Sequence, residues 1–136
     1  MMEDRYLFRG KRIDNGEWVE GYLSYPFCTK KGNESYYFYA KDSLGFFCRC
    51  VVDASTICQC TGLKDKNGKL IWENDIVRTV YDRNEHIYQV VWDESELDFK
   101  ATNGKENYES NFEYLPCCDE IEILGNRFDN PELLEV

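Results

Sequence analysis

Asn15-Gly16-Glu17-Trp18-Val19-Glu20-Gly21-Tyr22 reads as a turn followed by a strand. Asn-Gly favours a type I′ hairpin turn, because both central residues of that turn need positive φ. Past it, Trp18, Glu20 and Tyr22 fall at alternate positions and share one strand face. Tyr6–Ile13 supplies the partner strand, so residues 6–24 form a hairpin. Asn67-Gly68 and Asn103-Gly104 repeat the signal further along.

Working outward, Ser35-Tyr36-Tyr37-Phe38-Tyr39-Ala40 is a strand that is aromatic on both faces. Phe46–Val52 is another, with Phe46, Cys48, Cys50 and Val52 on one side and Phe47 and Val51 on the other. Asp42-Ser43-Leu44-Gly45 is the turn between them. In the second half, Lys69–Trp72 leads through the turn Glu73-Asn74-Asp75 into the strand Ile76–Tyr81. Glu85–Trp92, Phe99–Ala101, Phe112–Leu115 and Ile121–Leu124 follow as strands. Asn130-Pro131-Glu132 starts the one short helix, with Asn130 as cap and Pro131 in the first turn. The class is mainly β. We expect an N-terminal β subdomain in residues 1–60 and a C-terminal SH3-like small barrel in residues 61–136. Trp18, Phe38, Trp72 and Trp92 are the expected buried aromatics.

The chain has 136 residues, enough to bury a core without metal or disulfide staples. Its apolar runs are only a few residues long, so no membrane partner is expected. Residues 1–60 hold 8 Lys/Arg against 8 Asp/Glu, and residues 61–136 hold 8 against 18. The whole net charge of −10 therefore belongs to the second half, which repels phosphate backbones and argues against nucleic acid as a partner. Arg5, Arg9, Lys11 and Arg12, with Tyr6 and Phe8, are the one cationic stretch. We read them as the border of the first hairpin. Seven Cys, an odd count, and an N-terminus without an apolar run point to free thiols in a reducing cytoplasm.

Cys48-x-Cys50 and Cys58-x-Cys60 would each present two sulfurs on one strand face, and four thiolates would suit zinc. A one-residue spacer on a flat strand lacks the knuckle of a zinc ribbon, so no metal is expected; a metal-binding protein on these pairs is an alternative reading. Cys117-Cys118 points to opposite faces. His86 stands alone in a strand without a neighbouring nucleophile. Asp93, Glu94, Glu96 and Asp98 form a solvated acidic loop, and Gly68 comes too early after Asp65 for a calcium loop. No Gly-rich phosphate loop is present. No catalytic residue and no cofactor are assigned.

Phe8-Arg9-Gly10-Lys11 with Gly16–Gly21, Thr61-Gly62-Leu63-Lys64-Asp65-Lys66-Asn67-Gly68-Lys69, Trp72–Val77, and Ile123–Asn126 with Asn130–Leu134 together resemble the YopX family of phage and prophage proteins. Cys58-Gln59-Cys60 stands where that family has Gly, Gln and an aromatic, and Glu73-Asn74-Asp75 where it has Glu-Gly-Asp. Asn74 keeps the turn, as Asn tolerates positive φ. The resemblance implies a mostly β fold with an SH3-type barrel and a mobile-element origin in a bacterial host. It carries no catalytic residue onto this chain.

These readings converge on a phage accessory protein that binds rather than catalyses. The expected partner is a second copy of the chain, with a host or phage protein as a further class. The neutral first half can approach a copy of itself without strong repulsion, and Tyr37 and Tyr39 are the candidate contacts. The acidic second half supports a different reading, a DNA mimic or decoy that blocks a host nucleic-acid-binding protein.

Overall fold

The computed structural model describes residues 6–23, 36–41, 47–103 and 112–134. The expected turn at Asp42–Gly45, together with Ser35, Phe46 and Gly104, lies outside them. The chain divides into two compact units, Met1–Cys60 and Thr61–Val136.

The first unit is an antiparallel sheet of β1 (Phe8–Lys11), β2 (Trp18–Leu23), β3 (Tyr36–Lys41), β4 (Phe47–Val52) and the start of β5 (Cys58–Lys64), in the order β4-β3-β2-β1-β5. Its register sets Gly10 opposite Val19, Phe38 opposite Cys50, and Tyr22 opposite Tyr39. Directly opposed residues share a face, so two faces follow from the ladder. One is the core face, where Phe38, Cys50 and Val52 are buried. Gly10 belongs to it: a Cβ there would stand 3.3 Å from the Val52 Cβ and 3.5 Å from the Phe38 ring, so a larger residue would push Val52 by a few tenths of an ångström. A bridge between Arg12 and Val52 brings the end of β1 beside the end of β4. Asp53 caps the 3-10 turn Ala54–Thr56, and the Lys11 N–H donates to Thr56 Oγ1 at 2.8 Å.

In the second unit β6 (Leu70–Trp72) is followed by β7 (Asp75–Tyr81), β8 (Asn84–Asp93), β9 (Asp98–Thr102), β10 (Phe112–Tyr114) and β11 (Glu120–Asn126). The last five form an antiparallel sheet in the order β10-β9-β8-β7-β11. Ile71, Val77, Tyr88, Val90, Ala101, Leu115 and Ile121 make its core. Among the described residues the ladder is linear, with β10 and β11 as its ends, so the mainly β class stands and no closed barrel ladder is seen among them. Among the described residues no helix is long and apolar enough to cross a membrane.

Turn chemistry departs from the sequence reading in a consistent way. Gly16 and Gly68 take positive φ (72° and 81°), but Asn15 and Asn67 do not, so neither turn is type I′. Gly68 closes a three-residue loop between Asp65 and Lys69, the common bulged form. The residues with positive φ at both centres are Asp82 (48°) and Arg83 (67°), which join β7 to β8 without any glycine. Asn74 takes φ 71°, as its turn requires.

The expected C-terminal helix is a 3-10 turn, Pro131–Leu134. Asn130 turns back instead of capping forward: its Oδ1 accepts from the Asn126 N–H at 3.2 Å. A Cβ on Gly125 would overlap that same amide oxygen, which accounts for glycine there. Phe38 and Trp72 are buried as expected, and Trp18 is half-buried. Trp92 is 38% exposed, contrary to expectation. It lies on the core face with Val90, but two residues nearer the hairpin end, where the core has run out.

Candidate functional site

The second face of the first unit carries Arg9, Lys11, Trp18, Glu20, Tyr22, Tyr39 and Arg49, as the register requires. Arg9 stands 4.8 Å and Lys11 5.4 Å from the Trp18 ring centroid, so the ring holds two cations beside it. Tyr22 and Tyr39 are opposed across β2 and β3 and are 37% and 47% exposed. Arg49 follows Tyr39 on β4 and is exposed. The result is a row of two rings and a guanidinium across three strands. Of the two expected contacts, Tyr39 lies in this row. Tyr37 is placed opposite Val51 by the backbone ladder, and its side chain lies outside the described residues.

Cys50 pairs with Phe38 on the core face, whereas Cys58 pairs with Arg9 on the opposite one. Cys58 Sγ donates to the Thr56 carbonyl at 3.2 Å, the bond of a thiol. Cys58 and Cys60 are fully buried, and the Cys48 side chain lies outside the described residues. Among the described residues no group of three or more His, Cys, Asp or Glu has a metal-holding arrangement.

In the second unit, the loop between β8 and β9 is built around Asp93. Its Oδ1 accepts from the Ser95 N–H (2.9 Å), the Ser95 hydroxyl (2.7 Å) and the Glu96 N–H (3.3 Å). Its Oδ2 accepts from buried Lys100 at 2.7 Å. Lys100 also reaches Glu96 Oε1 at 3.2 Å and lies 4.6 Å from the Phe112 ring centroid. Hydrogen bonds from Lys100, then from Ser95, hold Asp93 well below the usual carboxylate range. Burial opposes the charge on Lys100, and Asp93 and Glu96 together outweigh it, leaving the amine above its ordinary value. Tyr114 donates to Glu96 Oε2 at 2.8 Å. Leu97, the last loop residue, takes φ 57° and is 73% exposed. The sequence places the acids here but gives no sign that Lys100 is buried among them.

The motif residues have structural work. Asp65 Oδ1 accepts from the Asn67 and Lys69 N–H groups, and Oδ2 accepts from the Ile123 N–H at 3.1 Å. Burial pushes its pKa up, and these three amides more than offset that, so it stays below the usual range. Asp75 Oδ2 accepts from the Trp72 N–H at 2.8 Å. The Asn74 carbonyl accepts from the Arg127 N–H, and its Oδ1 accepts from Gln89 Nε2. A cleft of about 400 Å³ is lined by Leu63, Lys64, Asp65, Leu115, Cys118 and Ile121 among others. Burial, then the carboxylate of Glu113, pushes the Cys118 thiol up to about 12, so it is not a nucleophile at neutral pH. Exposed His86 stacks on Tyr88 at 4.9 Å between centroids.

The YopX protein family model matches residues 7–135. No curated protein matches the chain. Among solved structures, protein EF1440 from Enterococcus faecalis is similar at 22% identity with a TM-score of 0.50, over 93% of this chain and 96% of that one. At that identity the likeness concerns the fold.

Proposed function

The chain belongs to the YopX family, and on that footing we propose that it acts by binding and self-association rather than by catalysis. The observation that carries this reading is the Tyr22–Tyr39 pair. Both rings are exposed, on the sheet face opposite the one that buries Phe38 and Cys50. Directly opposed rings on an exposed strand face mark an interaction surface more readily than a solvated one. The acids and the lysine described in the second unit support it too, since their hydrogen bonds go to building turns. We keep the SH3-type description of residues 61–136 within this proposal; five antiparallel strands with a 3-10 turn before the last one support it. A phage or prophage origin and a place in the bacterial cytoplasm belong to the same reading.

The test is light scattering of the full chain at micromolar concentrations. A mass above 16.1 kDa that rises with concentration, and that falls in Tyr39→Ala, is the expected result. A monomer at every concentration overturns the proposal.

A further inference from the structure

We infer that Asn15-Gly16 is a site of spontaneous covalent modification, at which the folded chain releases the Asn15 side-chain nitrogen as ammonia and converts the residue to isoaspartate and aspartate. The reaction is intramolecular. The Gly16 backbone nitrogen attacks Asn15 Cγ, the Cγ–Nδ2 bond breaks, and the Gly16 amide proton departs with the nitrogen as ammonia. Water then opens the cyclic imide. Opening at the former main-chain carbonyl of residue 15 gives isoaspartate, and opening at Cγ gives aspartate. Glycine at the next position admits the attack, because no Cβ crowds its nitrogen.

Asn67-Gly68 has the same two residues, so their surroundings decide between them. Both pairs are exposed, and both glycine N–H groups are engaged: Gly16 donates to the Arg12 carbonyl at 2.9 Å and Gly68 to the Asp65 carbonyl at 3.0 Å. The difference lies in what else must break when the peptide between the two residues turns. The Asn67 and Lys69 N–H groups, on either side of Gly68, both donate to Asp65 Oδ1, at 2.9 and 3.0 Å. Asp65 is 7% exposed, so turning the 67–68 peptide would strip bonds from a buried carboxylate, which is costly.

Around Asn15 the bonds favour the attack instead. Asn15 Oδ1 accepts from the Glu17 N–H at 2.9 Å, so the oxygen that gains negative charge already faces a donor. Asn15 Nδ2 lies 3.4 Å from Glu17 Oε2, which sets a carboxylate beside the leaving nitrogen to relay the proton it must gain. The Gly16–Arg12 bond has to open, but Gly16 is exposed and a Cβ there would meet nothing within 4 Å, so water can take its place. The product changes the turn between β1 and β2. Isoaspartate adds a methylene to the main chain inside the span closed by the Arg12 N–H and the Glu17 carbonyl at 2.9 Å. It also adds a negative charge to the half of the chain that holds 8 Lys/Arg against 8 Asp/Glu.

The experiment is incubation of the full chain in warm neutral buffer, folded and in urea, followed by digestion in acid and mass spectrometry that separates isoaspartate, aspartate and asparagine at positions 15 and 67. In the folded chain we expect position 15 to convert at least about tenfold faster than position 67, a barrier difference of about 1.4 kcal/mol. In urea the order should vanish or reverse. There Lys66 and Lys69 ease loss of the Gly68 amide proton, while Asp14 and Glu17 oppose loss of the Gly16 one. Equal conversion at the two positions in the folded chain, or faster conversion at 67, overturns the inference. So does a folded Asn15 that stays intact over the time in which the chain in urea converts.

Discussion

Lys100 Nζ lies 2.7 Å from Asp93 Oδ2, and both side chains are buried although Glu96 beside them is half open to water. A buried charge is tolerated when its partner is in place, and removing one member leaves the other uncompensated. Lys100→Met and Asp93→Asn should therefore each lower the unfolding midpoint. The double variant should lose less than the two losses added together. Denaturant unfolding of the four proteins in a cycle measures the coupling; additive losses would mean that the pair does not act as a unit.

Stability should depend on pH in a defined direction. Asp65 and Asp93 are both held below the ordinary carboxylate range by hydrogen bonds. A depressed folded value contributes stability that is present above the unfolded pKa, about 3.9, and is lost as pH falls through the folded value. The second unit should thus weaken progressively below about pH 4, and Asp65→Asn should flatten part of that slope. Asp98 has the opposite sign. Burial raises its pKa, and its buried Oδ1 has no hydrogen-bond partner. Its contribution is present in acid and is lost as pH rises through its folded value. Asp98→Asn should then raise the unfolding midpoint at pH 7, and an unchanged or lowered midpoint would contradict this.

The two tryptophans of the second unit should differ. Trp72 is 3% exposed, and Trp72→Ala should cost about 3–5 kcal/mol. Trp92 is 38% exposed and makes an edge-to-face contact with Phe99 at 4.9 Å, so Trp92→Ala should cost about 1–2 kcal/mol. Urea denaturation of both variants orders them; equal losses would place Trp92 in the core.

The glycine-free turn offers a stabilising change. Asp82 and Arg83 both hold positive φ. Replacing them by Asn and Gly should raise stability by about 0.5–1 kcal/mol, because that pair adopts a type I′ turn with least strain. A thermal scan would show a higher midpoint, and a lower one would mean that the Asp82 or Arg83 side chain is needed.

Strand alternation made the β class legible, and it put Trp18, Glu20 and Tyr22 on one face as the ladder has them. Alternation assigns a residue to a face but not to a depth along it, which is why Trp92 reads as core and is half open. Burial of Lys100 is hidden for a related reason. It depends on the loop geometry that brings Asp93 back over the strand, and no local signal of Lys100 records that. Asn15-Gly16 and Asn67-Gly68 marked where turns fall but not their type, since loop length and register decide it. The Tyr39–Arg49 pairing depends on the β3–β4 register, which neither strand specifies alone.

The position of β7 between β8 and β11 has a consequence for how the protein is made. Val77 pairs with Tyr88, which is synthesised soon after it, but also with Ile123, which emerges from the ribosome much later. Asp65 waits as long for the Ile123 amide. Until residues 120–126 are out of the exit tunnel, β7 keeps one edge unpaired, and the nascent chain is exposed to misassembly during that interval. The first unit has its strand partners available once Gln59 has been added, so it can complete its ladder while the second is still being translated.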